Sequence, residues 1–241
     1  EHLLDAAELA ALATTDVAPP EGISPAQGGL VLDETIKPHH KVAWLIEAAT
    51  AGAIELLDEG EGGIRRLRRG TPYDGPLDRM FGNRQEIRLG EYDPTFASGW
   101  SAVDRDLASW REDSGLWDPR GDERVMSARV VGALLAILGG VATFLLGGQV
   151  GRHGAGFAIP LAVAAAVTAA GVAAAVRGWE LQVRTPRGSG VWLRVESFRR
   201  FLAASEAHHA EEAAKRGVLR EYTAWAVAVG EIDRWNHAVQ D

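Results

Sequence analysis

The chain contains no cysteine. Disulfides and thiolate metal sites are excluded, and the absence fits a protein facing a reducing cytosol. A basic surplus is missing too, since 25 Lys and Arg stand against 33 Asp and Glu for a net charge of -8. Broad nucleic-acid binding needs a basic surface to neutralise phosphates, so nucleic acid is not an expected partner. No Gly-rich phosphate loop, Gly-x-Ser-x-Gly or His-Glu-x-x-His occurs. Residues 1–15 lack the basic start and long apolar run of a secretory signal. Glu1 is not an initiator methionine. The expectation is a fragment or processed product, with any targeting information upstream.

The most informative absence is of charge over two neighbouring stretches. Val130 to Gly151 and Gly154 to Val176 carry no charged side chain, and only Arg152 and His153 separate them. At about 1.5 Å per residue each helix would rise roughly 33 Å, enough for a hydrocarbon core of about 30 Å. A helix satisfies its own backbone polar groups in lipid. The mean hydropathy of -0.07 is ordinary because charge gathers outside these stretches. A transmembrane helical hairpin over 127–177 is therefore expected, with the lipid bilayer as partner. Arg120, Arg124 and Arg129 precede it, and Arg177, Arg184 and Arg187 follow it, while the turn offers Arg152 alone. That asymmetry places both flanks in the cytoplasm. Trp179 is a candidate interfacial anchor.

Small residues crowd both runs: Gly132, Ala136, Gly139 and Gly140 in the first, Ala162, Ala166, Ala169, Ala170, Ala173 and Ala174 in the second. Such residues let helices approach closely in lipid. Thr143, Gln149 and Thr168 are expected to bond helix to helix. No ionisable residue lies within either run, so neither an ion relay nor a substrate path is indicated.

Residues 1–18 form an amino-terminal linker or helix, and 19–121 read as a winged-helix-like α/β unit. Ser24 and Pro25 with Gln27 make a capping-box start for a short helix to Leu32. A second helix is predicted from Pro38 to Ala51, its apolar face formed by Val42, Leu45, Ile46 and Ala49. Strands at Ile54–Leu57 and Ile64–Arg69 flank the turn Glu59 to Gly63. A weaker copy of the pattern is expected afterwards: a helix at Pro76–Phe81, a strand at Glu86–Leu89 and a helix at Thr95–Arg111. That last helix carries Phe96, Trp100, Val103, Leu107 and Trp110. Residues 184–241 are expected to be amphipathic helices at Val191–Arg216, Val218–Val229 and Ile232–Val239. Their apolar faces need either the amino-terminal unit or the membrane surface as a partner. The fold class is thus an α+β membrane protein.

Candidate sites are few. His208, His209, Glu211 and Glu212 fall short of a zinc set and read as a polar helix face. His39 and His40 read as a solvated first turn. Asp104 and Asp106 point to different faces. Arg65 to Arg69 could grip DNA phosphates, touch anionic lipid headgroups or simply keep a strand edge soluble. No catalytic, cofactor-binding or metal residue is assigned, and no small-molecule substrate is indicated.

Several strings then line up around the hairpin. They are Pro19-Pro20-Glu21-Gly22-Ile23-Ser24-Pro25-Ala26 with Leu32-Asp33, Trp44-Leu45-Ile46-Glu47-Ala48-Ala49 with Gly52, Ile54 and Glu55, Leu77-Asp78-Arg79-Met80-Phe81-Gly82, and Glu86-Ile87-Arg88-Leu89. Beyond the hairpin come Arg184-Thr185-Pro186-Arg187-Gly188, Val195-Glu196-Ser197-Phe198-Arg199, Leu219-Arg220-Glu221-Tyr222 and Gly230-Glu231-Ile232-Asp233-Arg234-Trp235. From Pro19 to Trp235 the chain resembles the YciQ-like predicted membrane proteins, domain of unknown function 2207. Thr223-Ala224-Trp225-Ala226 and Arg65 to Arg69 depart from that pattern. The resemblance implies a multi-pass protein of the bacterial cytoplasmic membrane, with an extracytoplasmic β-rich domain and another span upstream. It supplies no reaction, so no catalytic residue is carried over. The expected function is a membrane-anchored, non-enzymatic scaffold or signalling module that binds a protein partner or a second copy. The alternative is a membrane-tethered DNA-binding regulator.

Overall fold

A computed structural model describes residues 13–57, 62–153, 158–177 and 184–240. The expected segment before residue 13, the turn at 58–61, the hairpin tip at 154–157 and Trp179 lie outside the described residues. The described chain is mostly helical with one small sheet, and it divides into two compact units. One joins the residues before Gly115 to those from Pro186 onward, and the other is Gly115–Thr185.

The first unit begins with α1, Pro25–Asp33. Its capping box forms as predicted: the Ser24 N–H donates to Gln27 Oε1 at 3.0 Å and the Gln27 N–H to Ser24 Oγ at 3.4 Å. Helix α2 covers Pro38–Thr50 and ends beside Gly52 at φ +69°, a left-handed conformation suited to glycine. Strands β1 (Ile54–Leu57) and β2 (Gly63–Arg66) pair antiparallel, with Ile54 opposite Arg66 and Leu57 opposite Gly63. Helix α3 is Asp74–Phe81, β3 is Glu86–Arg88 and α4 is Pro94–Asp113.

Two expectations change here. The strand at Glu86 is not part of a second copy, because β3 pairs with β2 and completes a sheet of order β1-β2-β3. Strand β2 also stops at Arg66 rather than Arg69. The N–H groups of Leu67 and Arg68 both turn onto the Ala53 carbonyl, which draws the chain out of the ladder. Leu30, Ile54, Ile64, Leu77, Met80, Val103 and Leu107 form one core under the sheet.

After the second unit the chain resumes in α7 (Pro186–Ala203), α8 (Ala207–Lys215), α9 (Leu219–Ala228) and α10 (Ile232–Gln240). The single predicted helix Val191–Arg216 is broken. The Glu206 N–H donates to His209 Nδ1 at 3.1 Å instead of to a carbonyl one turn back, so a new helix starts there. The apolar faces of α7 and α9 cover α1 and α2, which makes the amino-terminal segment their partner, while α8 and α10 pack on each other and on α9. Phe198, Tyr222, Trp225 and Trp235 form an aromatic cluster, with Phe198 edge-on to both Tyr222 and Trp225 at 5.2 and 5.6 Å. The approach rests on two glycines of α1. A Cβ on Gly28 would stand 2.1 Å from the Trp225 ring, and one on Gly29 would stand 2.4 Å from the Ala228 carbonyl oxygen.

A methyl group at Gly28 must therefore displace a buried indole. Overpacking of this kind costs about 1–3 kcal/mol, more than the roughly 1 kcal/mol alanine gains over glycine in a helix. Gly28→Ala is expected to lower the thermal midpoint followed by tryptophan fluorescence in detergent. An unchanged midpoint would refute the close approach.

Candidate functional site

The second unit is the expected hairpin. Helix α5 runs Pro119–His153 and α6 runs Ala158–Arg177. Within them Met126–Gly148 and Ala158–Val176 have mean hydropathies of 2.3 and 2.1. Their side chains do not form a hidden core. Phe144 is 83% exposed and Ile159 77%, with Leu134, Ile137, Leu138 and Val163 also outside. A soluble core helix buries such residues, whereas lipid is their matching solvent.

Backbone meets backbone between the two helices. A Cβ on Gly132 would lie 2.7 Å from the Gly171 carbonyl oxygen, and one on Gly171 would lie 2.5 Å from the Ala136 nitrogen. Gly139 faces Thr168 in the same way, with the Thr168 Oγ1 at 2.6 Å. Gly140, grouped with them by sequence, meets nothing within 4 Å. The threonines do not bond helix to helix. Thr143 Oγ1 donates to the Gly139 carbonyl and Thr168 Oγ1 to the Ala164 carbonyl, each at 2.8 Å in its own helix. A hydroxyl in lipid finds its nearest acceptor one turn back. The side chain of Gln149 lies outside the described residues. At the open end of the hairpin, Trp117 and Arg184 form an antiparallel bridge. Beside it the Thr185 N–H donates to the Leu116 carbonyl at 3.0 Å.

In the first unit, four polar side chains converge where α1 meets α2. Asp33 Oδ2 lies 3.2 Å from His39 Nε2 and 3.1 Å from His40 Nε2, while Lys37 Nζ lies 2.8 Å from Asp33 Oδ1. His40 is fully buried, which corrects the reading of a solvated first turn. Its Nδ1 accepts the Lys37 N–H at 3.1 Å, so the neutral ring carries its proton on Nε2 and donates to Asp33. Asp33, His39 and His40 are spaced closely enough for a cation. The occupied Nδ1 and the adjacent ammonium instead make them a closed hydrogen-bond hub. Burial, then His39, pushes the His40 pKa down to about 4 against the pull of Asp33. Burial alone would raise Asp33, but the Lys37 ammonium holds its carboxyl below the usual range.

Glu47 was missed by sequence reasoning. It is 8% exposed, and its Oε1 accepts the Ala26 N–H at 2.7 Å at the start of α1. Burial lifts its pKa to about 7 despite hydrogen bonds from Ala26 and Ser24. The buried face of α2 runs through His40, Ala43, Trp44, Leu45, Glu47 and Ala48; of the expected apolar residues, Leu45 lies in the core and Ala49 packs against it, whereas Val42 is 41% exposed. Choosing apolar residues alone leaves His40 and Glu47 out of that face. The signal available was a tryptophan flanked by alanines at helical spacing.

The arginine cluster is largely spoken for. Arg65 bridges the sheet surface to Glu55 and Glu86, both at 3.1 Å. Arg66 is buried and holds Asp74 at 2.7 Å and Asp78 at 3.3 Å. Arg68 donates to the Ala51 carbonyl at 3.2 Å. His209 caps α8, while His208 is an exposed neighbour of Glu206 at 3.6 Å. Asp104 accepts Lys41 at 3.0 Å. Glu196 is buried between Arg199 and Arg200, and Arg199 also reaches Glu231.

A family model described as the C-terminal domain of a predicted membrane protein (DUF2207) matches residues 16–239. No curated protein and no solved structure matches the chain.

Two outcomes are expected from this geometry. Gly171→Leu should lower the thermal midpoint of the protein in detergent, while Gly140→Leu, placed in open space, should not. Equal effects would refute the backbone contact. The second outcome concerns pH. Between about pH 4.5 and 7 the folded chain keeps a proton on Glu47 that the unfolded chain releases, so stability falls as pH rises. Between about pH 4 and 6.5 the unfolded chain protonates His40 first, so stability rises with pH. The slopes oppose each other, and each is worth at most roughly 3 kcal/mol. Relative to the native chain, His40→Gln should become less stable from pH 4.5 to 6.5 and Glu47→Gln more stable. Parallel pH curves for all three proteins would refute both assignments.

Proposed function

The chain belongs to the DUF2207 family of predicted membrane proteins, and from that premise we propose that it is a membrane-anchored, non-enzymatic scaffold or signalling module. The hairpin holds it in the bacterial cytoplasmic membrane, with both flanks in the cytoplasm. The observation that carries this reading is the composition of the first unit, made of residues on both sides of the hairpin. Two crossings return the chain to the side it left, so both halves of one folded unit meet on one face of the bilayer. The arginines at 120, 124, 129 and 187 favour the cytoplasmic face.

The soluble unit is winged-helix-like in its order of α1, α2, β1 and β2, with β1 and β2 as the wing. Its role on this reading is to bind a protein partner, since the polar clusters among the described residues tie its own helix starts and sheet together. The DNA-binding alternative is weaker. Arg65 and Arg66 are neutralised by carboxylates, which leaves little charge for phosphate.

The absence of native cysteine permits a direct test. Asp106→Cys and Glu211→Cys, both at exposed positions, should react with a membrane-impermeant maleimide in inverted vesicles and not in intact spheroplasts. Labelling of either from outside would overturn the topology. Detergent pulldown of the cross-linked full chain should return the same protein in repeated preparations, and a failure to do so would overturn the partner-binding role.

A further inference from the structure

The chain leading into α1 is tied on both sides of a hinge. Ahead of it the Tyr222 hydroxyl of α9 donates to the Val17 carbonyl at 2.7 Å, and the Asp16 N–H donates to the Ser197 carbonyl of α7 at 3.2 Å. Behind it Gly28 sits against the Trp225 ring. Between these fixed points Glu47 of α2 takes hold. Its Oε1 accepts the Ala26 N–H at 2.7 Å, and its carboxyl takes a further bond from the Ser24 side chain. Gly22 lies exposed in the same segment at φ +80°, and a Cβ there would meet nothing within 4 Å. A left-handed glycine in open space lets the chain turn without breaking any packing.

The Glu47 site is a costly place for a charge. The residue is 8% exposed, and burying an ion without a counter-charge favours the neutral acid. Two hydrogen bonds and the start of α1 favour the anion, yet burial outweighs them and lifts the pKa to about 7. Helix α1 brings no charge near, because residues 25–32 hold no ionisable side chain. Tyr73, just ahead of α3, has its pKa raised by burial and then by the Glu47 charge. Charges on the other elements around α2 are directed elsewhere. Glu55 of β1 bonds Arg65 at 3.1 Å, and Asp104 of α4 takes Lys41 at 3.0 Å. Arg105 and Asp106 of α4 and Arg220 and Glu221 of α9 are exposed. On α2 itself, His40 is engaged by Asp33 and by the Lys37 N–H.

We propose that Glu47 is a proton-controlled latch on the start of α1. With its proton bound, the carboxyl seats the turn at Ser24 and Ala26 on α2. Once the proton passes to water, the buried carboxylate is best satisfied by hydration, and the segment between Val17 and Gly28 swings at Gly22 to admit it. Acid fastens this segment, and neutral pH frees it. The open form ionises as an ordinary glutamate, so opening rises with pH until the closed form has also lost its proton. His40 acts in the opposite direction at the far end of α1, so the two groups are told apart by place. The latch works within one chain and stands apart from the partner-binding role.

Hydrogen exchange of the full chain in detergent, read by mass spectrometry and corrected for intrinsic rates, tests the latch. From about pH 5 to about pH 7, protection over residues 24–30 should fall roughly tenfold or more. Residues 34–41, beside His40, should not lose protection. Glu47→Gln keeps an acceptor for the Ala26 N–H without the titration, and its protection over 24–30 should stay level. An NMR titration of the Glu47 carboxyl carbon in the native chain, which needs no substitution, should have its midpoint at about 7. A midpoint in the ordinary glutamate range, protection indifferent to pH, or a fall that persists in Glu47→Gln would overturn the latch. An equal fall across the whole first unit would overturn it as well, because the opening would then be that of the core.

Discussion

The first unit depends on the approach of α9 onto α1 at Gly28 and Gly29. Trp225 and the Ala228 carbonyl occupy the space that side chains at those positions would fill. Most of the remaining packing on that side follows from this seat. With α9 in place, Tyr222 reaches the Val17 carbonyl through its hydroxyl at 2.7 Å. Trp235 then donates to Thr223 at 3.0 Å. Residues separated by the whole hairpin are thus obliged to fold together. Both apolar helices of the described residues lie between the two stretches that share this core.

Polar residues in this unit serve the same closure. Glu47 reaches from α2 to the first turn of α1, and His40 reaches back to the backbone that starts its own helix. His209 repeats that device at α8. Both histidine pairs therefore belong to helix starts, where a ring nitrogen three residues in accepts the otherwise orphaned N–H. Glu196, Arg199 and Glu231 tie α7 to the start of α10. The strings that carry the family resemblance meet in these contacts, so they specify how the unit closes.

Sequence patterning was most legible where one physical signal dominates. The hairpin, the capping box at Ser24 and the breaks at Gly52, Gly217 and Gly230 were all readable, because lipid length, cap chemistry and positive φ leave few alternatives. Patterning failed where tertiary context decides. The α2 face is legible at Leu45 but not at His40 and Glu47, because apolar patterning does not count titratable residues that are buried. The third strand was set apart because only its pairing with Arg65 and Ile64 reveals its sheet. The break after Ala203 was hidden because a histidine cap competes with continued helix, and propensity alone does not register it. The Arg65 to Arg69 run suggested a basic surface, since its carboxylate partners lie 8 to 21 residues away in sequence.

The hairpin's interior bears on what the membrane part can do. Its hydroxyls are turned back onto their own helices, and its contact is made by glycine and alanine backbones at van der Waals range. A conduit requires polar groups facing a gap between helices, where ions or solutes exchange their water for protein oxygen. Here that gap is filled by backbone, and the outward faces carry leucine, isoleucine, valine and phenylalanine. Such a pair has an apolar outside and a closed inside. That outside matches a hydrocarbon solvent, as the membrane family of the chain requires.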